Sequence, residues 1–155
     1  MRDGQDHVLR KSKKGGYGVT KEEKIDKYGE VFTPEWVVRK MCDMMEQESG
    51  DAFLPEKTFL EPSCGEGIFI IEILRRKFQH CKTKEDYMTS VRSVYGFEIQ
   101  TDNVEKCIRN VIDFCGQHFK VTKRDEMEIG DHVILCDGLK IMKMLAEGKE
   151  KAKPS

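Results

Sequence analysis

The sequence predicts a layered α/β fold built on a parallel sheet. Three observations carry that prediction. Short apolar runs at 58–61, 94–98 and 132–136 have the length of strands. The stretches between them repeat their apolar residues at helical spacing. Strands separated by helices pair in parallel through right-handed crossovers, with helices packed on the sheet. The expected order is helix, strand, helix, strand, helix, strand, helix, a sheet of about three parallel strands.

Thr33-Pro34-Glu35 reads as a helix start, with Thr33 as N-cap, Pro34 at the first helical position and an acid beside the positive dipole end. Trp36, Val37, Met41, Met44 and Met45 then recur at helical spacing, a core-packing pattern. Ser49-Gly50-Asp51 stops that helix. The first strand, Thr58-Phe59-Leu60, ends in Glu61-Pro62 and the loop Ser63-Cys64-Gly65-Glu66-Gly67. Ile68 to Phe78 follows as a helix that is apolar on nearly all sides. Arg75-Arg76-Lys77 closes it as a basic C-terminus complementing the dipole. Residues 80–92 form a polar insertion with helical character from Lys84 to Val91. The second strand is Val94 to Glu98. Thr101 caps a helix with the stripe Val104, Cys107, Ile108, Val111, Ile112 and Cys115, closed by Gly116. His132 to Cys136 is the third strand, ending in Asp137-Gly138, and a last helix runs from about Leu139 to Glu147.

The chain of 155 residues is one domain's worth of polymer. Residues 1–28 carry eight Lys/Arg against five Asp/Glu, a net of +3. They read either as a flexible arm or as a phosphate-contacting tail. Residues 29–147 hold the regular pattern, and 148–155 form a charged tail. No stretch approaches the ~20 apolar residues of a spanning helix, which excludes a membrane protein of that kind. With 27 Lys/Arg against 28 Asp/Glu, the chain alone has no electrostatic drive toward nucleic acid. Six scattered cysteines without C-x-x-C or zinc spacing, and no apolar leader, predict free thiols in the cytoplasm and no metal site.

All three predicted strands end in an acid, Glu61, Glu98 and Asp137, which a parallel sheet brings together in register at one edge. Carboxylates only accept hydrogen bonds, so the set suits a polyhydroxylated and cationic ligand. Glu98 stands where an acid after the second strand takes both hydroxyls of a ribose. Gly65 and Gly67 permit positive φ and close backbone approach. The loop is no phosphate cradle, however. Ile70 replaces the third glycine of a dinucleotide fingerprint, Gly-Lys-Ser/Thr is absent, and Glu61 would repel a pyrophosphate. A cofactor with an ammonium group, a positive centre and no phosphates fits, and S-adenosylmethionine has those features.

Glu61-Pro62-Ser63-Cys64-Gly65-Glu66-Gly67-Ile68-Phe69 resembles the Asp/Asn-Pro-Ala/Ser-Cys-Gly-Ser/Thr-Gly-x-Phe motif of the adenine-N6 DNA methyltransferases of restriction–modification systems. Gly29-Glu30-Val31-Phe32-Thr33-Pro34 is similar to that family's Gly-x-x-Phe/Tyr-Thr-Pro motif. Tyr95-Gly96-Phe97-Glu98-Ile99 is similar to its second-strand motif, and Cys136-Asp137-Gly138-Leu139 to its Gly-Asp-x-Leu motif, with Cys136 in place of the glycine. The resemblance covers about 29–145 and implies an incomplete Rossmann-like class I methyltransferase sheet. It further implies that Phe32, Thr33 and Pro34 line the cofactor pocket and that Glu61 faces the ammonium. The backbone from Pro62 and Ser63 through Cys64, Gly65 and Gly67 would pass beneath the methionine moiety. Glu98 would hold the ribose, Ile99 would pack on adenine, and Asp137, followed by Leu139, would read the adenine amino group. The plainer alternatives are a hydrophobic staple for Phe32 and solvated strand ends for Glu98 and Asp137.

The family's Asp/Asn-Pro-Pro-Tyr/Phe motif, which polarises the target amine and stacks on the flipped base, is absent: none of the four prolines is adjacent to another. The sequence therefore reads as the S-adenosylmethionine-binding portion of a DNA methyltransferase, either a fragment or a short or split form, without catalytic residues of its own. DNA would be the substrate of the complete enzyme, and a protein partner or self-association is expected at the sheet edge after the third strand. A regulatory S-adenosylmethionine-binding module, or a piece of a protein or RNA methyltransferase, is the alternative.

Overall fold

The computed structural model describes residues 32–151. The predicted arm 1–28, residues 29–31 and the last four residues of the predicted tail lie outside them. The chain divides after Phe32, and the fold below is that of the unit from Thr33 onward.

Three short strands, β1 (Phe59–Glu61), β2 (Val94–Glu98) and β3 (Val133–Leu135), form a parallel sheet in the order β1-β2-β3. Among the described residues six helices accompany them: α1 (Glu35–Glu48), α2 (Ile68–Phe78), α3 (Lys84–Arg92), α4 (Thr101–Gly116), α5 (Lys123–Asp131) and α6 (Gly138–Lys151). The strands and the bodies of α2, α3 and α4 fall where apolar periodicity placed them. The last helix runs four residues past the predicted Glu147 end, into the segment read as a tail.

Helix α5 departs from the sequence pattern, which marks no element over 117–131. Its signal is a capping box. The Thr122 hydroxyl accepts from the Asp125 amide, and the Asp125 carboxylate accepts from the Thr122 amide. Thr83 and Asp86 form the same reciprocal pair at the start of α3. The start of α1 also differs. Pro34 has extended backbone (φ −62°, ψ 147°) and is itself the N-cap, so the helix begins at Glu35 with no side-chain cap from Thr33.

The buried face of α1 is Val38 and Cys42, with Met45 packed beside them. Trp36, 71 % exposed, and Met41 and Met44 look outward, contrary to the core stripe read from spacing. The helix carries two overlapping apolar stripes, and docking on α2 selects the one that Arg76 can also bridge. Arg76 pairs with Asp43 (2.8 Å) and Glu46 (3.1 Å) on α1 while holding Glu72 (3.0 Å) on its own helix. Lys77 is wholly buried and donates to the carbonyls of Leu54, Pro55 and Lys57 at 2.8, 3.1 and 2.5 Å. The basic run at the end of α2 therefore fastens α1 and the 54–57 turn, beyond complementing the helix dipole.

One face of the sheet is fully dressed. Val94 and Val133 project into a core shared with Ile70 and Leu74 of α2, Val91 of α3, Val111 of α4 and Ile129 of α5. Both crossovers therefore lie on the same side. The register Leu60↔Tyr95 and Phe97↔Ile134 puts these four residues on the opposite face. There Tyr95 is 36 %, Ile134 39 % and Leu60 40 % exposed. Parallel sheets bury both faces. Here the second one is bare apolar surface among the described residues. No described helix is long and apolar enough to cross a membrane.

Candidate functional site

The carboxyl ends of the strands carry the loop 62–67, the segment 99–100 and the turn 136–138. The parallel register staggers them. Glu61 stands opposite Gly96, two residues before Glu98, and Glu98 stands opposite Leu135, two residues before Asp137. The acids therefore climb by two residues per strand, roughly 7 Å each time, instead of lying in register as the sequence suggested. The outcome is an extended acidic track rather than a compact cluster.

The loop after β1 curls back over this stagger. The Cys64 amide donates to the Phe97 carbonyl at 2.8 Å, and the Gly65 amide donates to Glu98 Oε1 at 3.2 Å. Gly67 N-caps α2 at φ +95°, and a Cβ there would sit 2.8 Å from Cys107 Sγ, so only glycine meets both demands. Cys64 Sγ lies 4.0 Å from Cys107 Sγ, both thiols buried, and Asn110 donates to the Glu66 carbonyl at 2.9 Å. Thus α4 and β2 together pin every residue from Cys64 to Gly67. Sequence reading gives Cys107 only a place in a helical stripe; the contacts of Cys107 and Asn110 with the loop set α4 against the exit of β1.

Each acid has a distinct environment. Glu61 is half-buried and accepts from the Ser63 amide at 3.0 Å. Burial raises its carboxyl above the ordinary range, and the Ser63 N–H offsets this only in part. Glu98 is buried, and its second oxygen accepts from the Gln100 amide at 2.7 Å. Asp137 is exposed and opens α6, taking the Lys140 amide on its side chain (3.0 Å) and the Ile141 amide on its carbonyl (3.1 Å). Among the described residues, no ion pair involves Glu61, Glu98 or Asp137, and the pair at the glycine loop joins Glu66 to Lys106 at 3.7 Å. Three acids that no cation among the described residues pairs with, set beside a glycine loop, fit a cationic, hydroxyl-bearing ligand.

Apolar residues border the track. Ile68, Ile99 and Leu139 are exposed beside Gly67, Glu98 and Gly138. The structure thus gathers Glu61, Pro62, Ser63, Cys64, Gly65, Gly67, Glu98, Ile99, Asp137 and Leu139 along one rim. Thr33 and Pro34 head α1, which packs on α2, and no hydrogen bond among the described residues joins them to that rim. Phe32 belongs to the preceding unit. Cys64 offers no nucleophile: the Cys107 thiol beside it and then burial push its own thiol far up. All six cysteines are free, and no cluster of metal-ligating side chains occurs among the described residues.

No protein-family model and no solved structure matches the chain. Among curated proteins, it is similar to the type II methyltransferase M.VspI of Vibrio sp. (strain 343), with 27 % identity over 101 residues. The match covers 64 % of this chain and 21 % of that relative, so the chain spans about a fifth of the length of the methyltransferase it resembles.

Proposed function

We propose that this chain is the S-adenosylmethionine-binding portion of a DNA methyltransferase of the adenine-N6 type, on an incomplete Rossmann-like sheet. The observation that carries the reading is the pinned glycine loop over Glu98, flanked by acids that no cation of the described chain neutralises. The likeness to a type II methyltransferase and the four motifs in family order support it.

Each part of the track has a job in this reading. Glu61 receives the ligand ammonium, whose charge offsets the burial penalty on its carboxylate. Glu98 accepts the ribose hydroxyls, Ile99 and Leu139 offer apolar contact to adenine, and Asp137 accepts from the adenine amino group. When bound, S-adenosylmethionine supplies a methyl group activated by its sulfonium. The residues of this chain orient it and leave transfer to groups supplied elsewhere, since the chain holds no Asp/Asn-Pro-Pro-Tyr/Phe segment. We place that remaining polypeptide on the bare face of Leu60, Tyr95 and Ile134, because a parallel sheet requires cover there.

Calorimetry with S-adenosylhomocysteine is the first test. Binding is expected, weakened by ~1–3 kcal/mol in Glu98→Ala, the scale of charged hydrogen bonds. Equal affinity in the variant removes Glu98 from the site. Radiolabelled methyl transfer to unmethylated DNA, with and without a catalytic-half polypeptide, then decides the activity. Cofactor binding with no transfer in either case argues for a regulatory module.

A further inference from the structure

Helix α1 carries two apolar stripes, and only one of them has a partner among the described residues. Val38, Cys42 and Met45 face the core and α2. Trp36, Met41 and Met44 are exposed on the outward side, with Val37 half-buried beside them. An exposed apolar side chain alone is ordinary. A tryptophan and two methionines on one helix face have instead the composition found at the centre of protein interfaces.

The charges of α1 divide in the same way. Arg39 pairs with Glu35 on its own helix, and Asp43 and Glu46 pair with Arg76. Lys40 and Glu48 are exposed and enter no ion pair among the described residues. They lie on the outward side, four residues before and four residues after Met44. Each therefore stands ~6 Å from Met44 along the helix axis. This makes the face self-complementary. Turned end for end on its own image, it sets each Lys40 level with a Glu48. Parallel pairing would set Lys40 against Lys40 and Glu48 against Glu48.

We propose that the outward face of α1 pairs antiparallel with the same face of a second copy of this chain, about a two-fold axis at Met44. Such an isologous contact closes on itself and stops at a dimer. Met44 meets its own image, Val37 and Met41 border it, and two Lys40–Glu48 pairs flank it. Trp36 lies a further turn out, level with the segment that follows α1 in the other copy. The exposed ion pairs fix direction and register, while the apolar side chains supply the binding. One helix face per copy is a small interface, so the dimer is a weak one that forms at high concentration. Helix α1 docks on α2, which dresses the covered face of the sheet, so the pairing leaves Leu60, Tyr95 and Ile134 open. It is independent of what the acidic rim binds.

The test is sedimentation equilibrium of the full chain up to about 1 mM, with a thiol reductant to keep its six cysteines reduced. A reversible monomer–dimer equilibrium is expected. Lys40→Glu and Glu48→Lys should each weaken it about tenfold, because the two-fold axis turns either reversal into two like-charge contacts. The double variant Lys40→Glu/Glu48→Lys should regain the parent affinity, since both pairs re-form with their signs exchanged. Trp36, the single tryptophan of the chain, reports the same event, and acrylamide should quench it less as the dimer forms. A chain that stays monomeric throughout the series overturns the pairing. So does a dimer indifferent to both single reversals, or a double variant no better than the singles. A Trp36 already shielded in the monomer also overturns it, because the face is then covered from within the chain.

Discussion

Gly138 packs against Pro62 so closely that a Cβ on it would lie 2.2 Å from the Pro62 carbonyl oxygen, and 2.6 Å from Phe97 Cβ. β1 and β3 are not neighbours in the sheet, so this contact joins their exits across the end of β2. Gly138→Ala should therefore destabilise the fold by about 1–3 kcal/mol, the cost of overpacking. The sign is informative, because alanine within a helix ordinarily gains ~1 kcal/mol over glycine. A urea midpoint equal to or above that of the parent would show that the two exits separate without cost.

Gly67 and Cys107 form a second tight pair. Gly67→Ala places a Cβ at φ +95° and 2.8 Å from Cys107 Sγ, two penalties with separate causes. Removing the sulfur relieves only the second. In a double-mutant cycle with Cys107→Ala, the cost of Gly67→Ala should fall by about 1 kcal/mol yet stay positive, because the backbone strain persists. Additive effects, measured by chemical denaturation, would mean that the sulfur moves aside freely.

The elements legible in the sequence were those punctuated by glycine and proline and carrying one dominant apolar stripe. The strand 94–98 and the helix 68–78 fall where that reading placed them. Helix α5 was missed because Lys123-Arg124-Asp125-Glu126 shows no stripe, and only the Thr122–Asp125 box marks it. On α1, two stripes compete, and the choice depends on Arg76 arriving from α2. The site divides in the same way. Acids following strands are visible in one dimension, whereas the two-residue stagger and the amides held by Glu98 come from register, which packing sets.

Glu61 should set stability against binding. Its carboxyl titrates above the unfolded value of 4.5 because burial penalises the charge. In the window between those values the folded chain binds more protons, so stability falls as pH rises through it. Glu61→Gln should flatten that dependence and raise the melting temperature at neutral pH, while weakening S-adenosylhomocysteine. The parent should also lose affinity as the pH drops into the window, since only the carboxylate attracts an ammonium. A variant that is more stable and binds equally well would remove Glu61 from the ligand's path.

Lys77 gives the opposite slope. Its ammonium is 0 % exposed and faces three carbonyls with no carboxylate among its hydrogen-bond partners, and burial lowers its pKa to about 8. Only the ammonium form supplies three N–H donors, so the carbonyls resist that fall and keep the group charged at neutral pH. The unfolded chain holds this proton up to about 10.5, the folded chain only to about 8. Unfolding therefore takes up a proton between those values, and the Lys77 contribution to stability rises with pH across that range. Lys77→Met should abolish this rise. At pH 7 the same substitution should cost about 1–3 kcal/mol, because the Lys57 carbonyl loses its donor, whereas Leu54 keeps the Lys57 amide at 3.0 Å and Pro55 keeps the Ser93 hydroxyl at 2.8 Å. Urea denaturation of both chains from pH 7 to about 10 measures the two effects separately. A methionine variant as stable as the parent at pH 7 would mean that water satisfies the Lys57 carbonyl and that the 54–57 turn does not depend on Lys77.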